Sequence, residues 1–261
     1  CSSILCNEPA IQTLDQSVAL YCGSLEGQEG TGEGVFQYSL AHRRSKEFGV
    51  DTEGQTTNER VLELFQGFQD SLLEGDCTTA LTQKESLLSL LKVPIVQSVL
   101  RFAYIRDNVL VLDADDQAKA EAFGATFAAT VLPWVYKCHR DDAHVIYENL
   151  KVGSESSEVS FARVKEALEN NYDCLGISCA EVGGIWTEEG FAEGAEPCSD
   201  SSSQRSSTAQ SSHLVALVGF GVSVSAILLV VGGFCYMKRR QVSSSPSTLR
   251  STASRRLGQR R

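Results

Sequence analysis

The chain has 261 residues, 42% of them apolar, with 23 Lys plus Arg against 33 Asp plus Glu and 9 cysteines. Such a composition belongs to a folded chain rather than a disordered one, and the length allows one core or two small ones. The net charge of −10 hides a segregation: after His213 there are 8 basic residues and no acidic ones, so residues 1–213 stand at −18 and the tail at +8. An anionic body of this kind argues against a nucleic-acid-binding surface there, and nucleic acid is not expected as a partner.

In chain order, Glu8 to Tyr21 and Val35 to Phe48 show apolar residues at helical spacing. The glycine-rich connection GSLEGQEGTGEG between them carries three glutamates. Phosphate-binding loops lie at strand-to-helix turns, usually with a cation close by, and this loop is acidic and follows a helix, so it is not one. Asn58 to Leu73 places Val61, Leu62, Phe65, Phe68 and Leu72 on one stripe, with Asn58 as expected N-cap and Gly75 as stop.

Thr78 to Lys92 repeats the pattern, and Pro94 fits the first turn of a further helix through Ile105. Ala114 to His139 is a long Ala-rich helix that Pro133 should kink or end. Asp141 to Lys151 and Ser160 to Tyr172 make two shorter helices, and Gly176 to Cys198 is irregular. The fold class expected is therefore mostly α: a disulfide-stapled helical-bundle domain over residues 1–198.

Residues 199–213 form a serine-rich stalk. Leu214 to Met237 follows, uncharged for 24 residues. At 1.5 Å per residue it spans roughly 36 Å, enough for a hydrocarbon core of roughly 30 Å, and it reads as a single transmembrane helix. Lys238, Arg239 and Arg240 stand directly behind it, so the positive-inside rule places the basic tail, 238–261, in the cytosol and residues 1–213 outside. The expected location is the plasma membrane or an endosomal membrane, single-pass, with the lipid bilayer as one partner. Because the chain opens on Cys1, without an initiating Met or an apolar leader, it reads as a processed chain or a fragment.

Eight cysteines (Cys1, Cys6, Cys22, Cys77, Cys138, Cys174, Cys179 and Cys198) lie in the outer segment. An even number outside the cytosol favours disulfides, with the pairing open, and none of the pairs has the two-residue spacing of a zinc finger. No nucleophile elbow appears in the outer domain, nor a His-Glu-x-x-His or a redox Cys-x-x-Cys, so nothing argues for an enzyme.

Oxygen and imidazole donors gather in two stretches. Around residue 140 stand Tyr136, His139, Asp141, Asp142, His144, Tyr147 and Glu148; around residue 30, Glu26, Glu29 and Glu33 precede Tyr38 and His42. A hard ferric ion prefers phenolate and carboxylate oxygen, with histidine able to complete the set, so both stretches suit it chemically. The alternative is that Asp141 and Asp142 cap a helix and the tyrosines are core edges.

The runs AEAFGATFAATVLPWVYKC, DDAHVIYENLKVG, FARVKEALENNYDCLGISCAEVGG and GAEPC, together with SVALYCGSLEGQEGTGEGVFQYSLAHRR, resemble the algal iron-assimilation proteins, the iron-starvation-induced phytotransferrins of phytoplankton among them. The match spans most of residues 8–198. It departs from the family at Tyr136-Lys137-Cys138, where His-Ala-Cys is common, and at His139, where Asn is.

The resemblance implies a surface protein that captures ferric iron, with carbonate as second cofactor, and delivers it by endocytosis through machinery contacted by the tail. Chemistry and position in the matching segments together nominate Tyr21, Glu26, Glu33, Tyr38, His42, Asp142, Tyr147 and Tyr172 as metal ligands. Arg43, Arg44 and Arg101 are the candidates to hold the anion. The competing expectation is a single-pass adhesion or signalling receptor whose helical ectodomain binds a protein partner.

Overall fold

A computed structural model describes residues 9–23, 34–52, 56–108 and 113–199. The serine-rich stretch from 200, the apolar run 214–237, the basic tail, Cys1, Cys6, Glu26 and Glu33 lie outside the described residues. Those described belong to one compact unit, Cys1–Ala209.

The helices are α1 (Pro9–Cys22), α2 (Gln37–Glu47), α3 (Thr57–Glu74), α4 (Cys77–Leu90), α5 (Val93–Asp107), α6 (Ala114–Cys138), α7 (Arg140–Leu150), α8 (Phe161–Glu169), α9 (Tyr172–Leu175) and α10 (Cys179–Val182), with a 3-10 turn at Ser156–Glu158. A short antiparallel pair, β1 (Trp186–Thr187) and β2 (Gly190–Phe191), sets Trp186 opposite Phe191. The expected mostly helical class is met, and the irregular stretch after Gly176 holds only α10 and this hairpin.

Helix ends follow local chemistry. Thr56, not the expected Asn58, caps α3: its side chain accepts from the Glu59 N–H while the Glu59 carboxylate accepts from the Thr56 N–H, a reciprocal capping box. Asn58 is released for tertiary bonding and is buried. Gly75 ends α3 as expected, in the left-handed region with φ +75°.

Helix α6 runs through Pro133 to Cys138 instead of stopping there. Proline deprives the carbonyl four residues earlier of its donor. That residue, Ala129, is exposed, so water can serve its carbonyl.

The core centres on α5. Val93, Val96 and Val99 have no exposed surface, and Leu100 and Ala103 are buried with them. Each fully buried side chain of Val size is worth about 1.5–3 kcal/mol relative to exposure. The stretch Cys77–Asp107 is long and apolar enough to cross a membrane by length and composition, but half of its most apolar window is buried inside the protein. It is two helices, α4 and α5, with Pro94 in the first turn of the second.

Two disulfides tie the segment 138–198: Cys138–Cys174 joins the end of α6 to α9, and Cys179–Cys198 joins α10 to the end of the hairpin segment. Cys77 is disulfide-bonded as well. Cys22 lies half-buried at the end of α1.

The C-terminal segment closes on the α2–α3 connection at a glycine pair. Gly183 has φ +71°, and a Cβ there would lie 2.3 Å from the Phe48 carbonyl oxygen. The neighbouring Gly184 N–H donates to that same oxygen at 3.2 Å. Gly183→Ala should therefore destabilise by at least about 2 kcal/mol, combining the left-handed backbone penalty with a backbone clash. Urea unfolding should show a lower midpoint with an unchanged slope.

Candidate functional site

Helices α6 and α7 are joined by a single residue, His139, whose extended backbone (φ −145°, ψ 114°) ends one helix and opens the next. The His139 Nδ1 accepts from the Asp142 N–H at 3.4 Å. Asp141 and Asp142, in the first turn of α7, add negative charge where the helix dipole favours it.

This sharp corner brings the last turns of α6 over one face of α7. Leu132, Pro133 and Tyr136 from α6 line a groove with Arg140, Asp141, Ala143, His144 and Tyr147 from α7. Arg140, His144 and Tyr147 are four and three residues apart, the spacing that places side chains on one helix face.

Leu132, Pro133 and Ala143 give the groove apolar lining beside its polar and aromatic residues. Tyr136 and Tyr147 stand 53% and 48% exposed. The Arg140 guanidinium lies 5.0 Å from the centre of the Tyr136 ring, and Lys151 Nζ lies 5.7 Å from that of Tyr147. A cation over each ring is held by the negative face of the π-system. Two phenols, a carboxylate, an imidazole and a guanidinium thus share one open depression.

Asp142 sits elsewhere. Its Oδ2 accepts from the buried Asn171 Nδ2 at 2.8 Å and lies 3.1 Å from His139 Nδ1, which turns it away from the groove. Tyr172, next to Asn171, is buried in the core. Burial, with a smaller effect of Glu169, raises its phenol pKa far above the usual value.

A second cluster joins α1, α2 and α3. The Tyr21 hydroxyl donates to Asn58 Oδ1 at 2.5 Å, and Asn58 Nδ2 donates to the Tyr38 carbonyl at 3.0 Å. The two tyrosine rings meet edge to face at 6.0 Å. Tyr38 and His42 are half-buried one turn apart on α2. Burial, then the neighbouring Cys22 and Tyr38, pushes the Tyr21 phenol pKa well up.

The three arginines nominated for an anion divide. Arg43 is exposed. Arg44 is buried and pairs with Glu47, whose carboxylate also lies 3.2 Å from Arg101 Nε as an ion pair. Both guanidinium groups lie within 6 Å of the Phe102 ring, and Arg44 Nε donates to Ser98 Oγ at 2.9 Å. Both therefore share one carboxylate, Glu47, and pack α2 against α5 at Phe102.

Of the nominated ligands, the structure brings Tyr21 and Tyr38 together, places Tyr147 in the groove, and sets Asp142 and Tyr172 apart from both. The groove also holds Tyr136, Arg140, Asp141 and His144, which lie outside the expected ligand set. The stretch around residue 140 contains them all, but only the corner at His139 decides which share a face. Among the described residues no three His, Cys, Asp or Glu side chains are grouped to hold a metal ion. A metal site in the groove would therefore draw on tyrosine oxygen.

The buried phenols give a signed pH dependence. A group whose folded pKa lies above its unfolded value of 10.0 contributes stability that is intact below pH 10 and is lost as the pH climbs toward the folded pKa. Urea unfolding should therefore show stability falling above about pH 10, and Tyr172→Phe should flatten that fall. An identical alkaline slope in the variant would count against a protonated, buried Tyr172.

Comparison of the chain with known protein families, with curated proteins and with solved structures finds no match.

Proposed function

We propose that the protein captures ferric iron outside the cell and holds it in the α6–α7 groove. The observation that carries this reading is that Tyr136, Asp141, His144 and Tyr147, with Arg140, line one solvent-open depression. Ferric iron, as a hard cation, takes phenolate and carboxylate oxygen, and an imidazole can complete the set. The two segments that meet here, 120–138 and 141–153, are also two of those that resemble the algal iron-assimilation proteins. At position 136 the departure from that family exchanges an imidazole for a phenol, one metal-binding group for another.

The division of labour among the tyrosines follows from solvation. Tyr21 and Tyr172 are buried, and a phenolate there would lose its hydration without compensation. Tyr136 and Tyr147 stay in contact with water, so metal binding can displace their protons directly into solvent. Affinity then rises with pH, because each ligand must be deprotonated to bind. Arg140 is placed to receive an anion such as carbonate alongside the metal. Delivery by endocytosis, with residues 1–213 outside and the basic tail in the cytosol, completes the reading, supported by the uncharged run 214–237 and its basic flank.

Phenolate bound to ferric iron absorbs visible light, which gives the test. Titrating the full chain with chelated ferric iron should produce a saturable visible band that is stronger with bicarbonate. Tyr136→Phe and Tyr147→Phe should each weaken binding by more than about tenfold, while Tyr172→Phe leaves the band unchanged. Absence of the band in folded protein would overturn the proposal. Recovery of a specific protein partner by the metal-free chain would then favour the receptor reading.

A further inference from the structure

Resting on the groove as the ferric site, we infer that Asp142 is a positioning residue: its carboxylate latches the α6–α7 corner to Asn171 and so fixes the geometry of the groove without lining it. The groove exists only because α6 turns into α7 across one residue, and the position of the first turn of α7 decides where Arg140, Asp141 and His144 stand. Asp142 is the member of that turn that reaches back into the protein, 15% exposed at its side chain. Its Oδ2 accepts from Asn171 Nδ2 at 2.8 Å.

The anchor is rigid. Asn171 is 1% exposed, and its second amide hydrogen goes to the Ala167 carbonyl at 2.7 Å, which locks the side chain to the end of α8. The Cys138–Cys174 disulfide ties the other side of the same corner to α9, only three residues beyond Asn171. The corner is thus held from both flanks, covalently at Cys138 and by a charge-assisted hydrogen bond at Asp142. Groups that orient metal ligands in this way commonly control affinity by about 10–100-fold without touching the ion.

Latch and ligand roles separate by substitution. In Asp142→Asn the amide oxygen can still accept from Asn171, but the carboxylate is gone. Asp142→Ala and Asn171→Ala both abolish the bond. For the full chain, hydrogen exchange of the Ala143 to Val145 amides reads the corner directly and needs no metal, while the visible titration reads the site.

The expected result is that Asp142→Asn, which keeps an acceptor for Asn171 but loses the charge, falls between wild type and Asp142→Ala in both exchange and ferric affinity. Asp142→Ala and Asn171→Ala should each speed exchange and weaken ferric binding by about tenfold, with the double variant no worse than either single one. Loss of ferric binding in Asp142→Asn with wild-type exchange would make Asp142 a ligand and overturn the inference. Unchanged exchange in both alanine variants would overturn it too. If the wild-type chain shows no ferric band, the ferric reading fails by itself, and exchange alone decides whether the latch is real.

Discussion

Helix α5 is buried along almost its whole length, yet Gln97, Ser98 and Arg106 are among its buried residues, and an unsatisfied buried polar group costs about 1–3 kcal/mol. Partners of these three tie α5 to neighbouring elements, although the buried Gln97 Oε1 has none among the described residues. Gln97 Nε2 donates to the Val182 carbonyl at 2.8 Å, Ser98 Oγ accepts from Arg44, and Arg106 donates to the Asn149 carbonyl at 3.2 Å and to the Ser154 carbonyl at 2.7 Å. One helix thereby specifies the places of α10, α2 and the turn after α7.

Arg106 shows how such a constraint is met without an ion pair. Among the described residues its guanidinium meets carbonyls and the Ser154 hydroxyl rather than a carboxylate. Asn149 belongs to the last turn of α7, where the helix dipole is negative and favours a cation. Burial lowers the Arg106 pKa, and the charge of Glu121 works in the opposite direction. Glu121 in turn accepts from the Gly153 N–H at 2.7 Å, so the same turn is held from α6 as well. With its C-terminal end fixed in this way and its N-terminal end fixed at Asn171, α7 is a defined platform for the groove residues on its outer face.

The same contrast between buried and exposed polar groups sorts the tyrosines. Those packed against the core, Tyr21 and Tyr172, keep their protons and act as apolar bodies, Tyr21 with a hydrogen-bonded tip. Those on the rim of the groove, Tyr136 and Tyr147, stand half exposed to water. The arginines sort by the same rule: Arg44 and Arg101 are drawn into packing on Phe102 and pairing with Glu47, while Arg140 stays at the groove over Tyr136.

Local periodicity made most of the helices legible, because a stripe such as Val61, Phe65 and Leu72 has meaning only on a 3.6-residue turn. Gly75 and Pro94 were equally readable, since each acts through its own backbone. Charge segregation and the uncharged run 214–237 are likewise properties of the linear chain. The N-cap of α3 was less so: Asn58 and Thr56 both suit a cap, and Asn58 was diverted to Tyr21 and Tyr38, contacts 37 and 20 residues away.

The cysteine pairing and the grouping of the groove residues were decided only by tertiary structure, for one physical reason. Cys138 and Cys174 are 36 residues apart, and nothing local records that α9 returns to the end of α6. Tyr136 and Tyr147 lie on different helices, so their shared rim depends on the turn at His139 and on the buried partners that hold it. The sequence by itself determined which segments are helical and where tyrosine, carboxylate and imidazole side chains are concentrated along the chain. Side-chain direction, and with it whether a tyrosine is core or surface, follows from long-range packing.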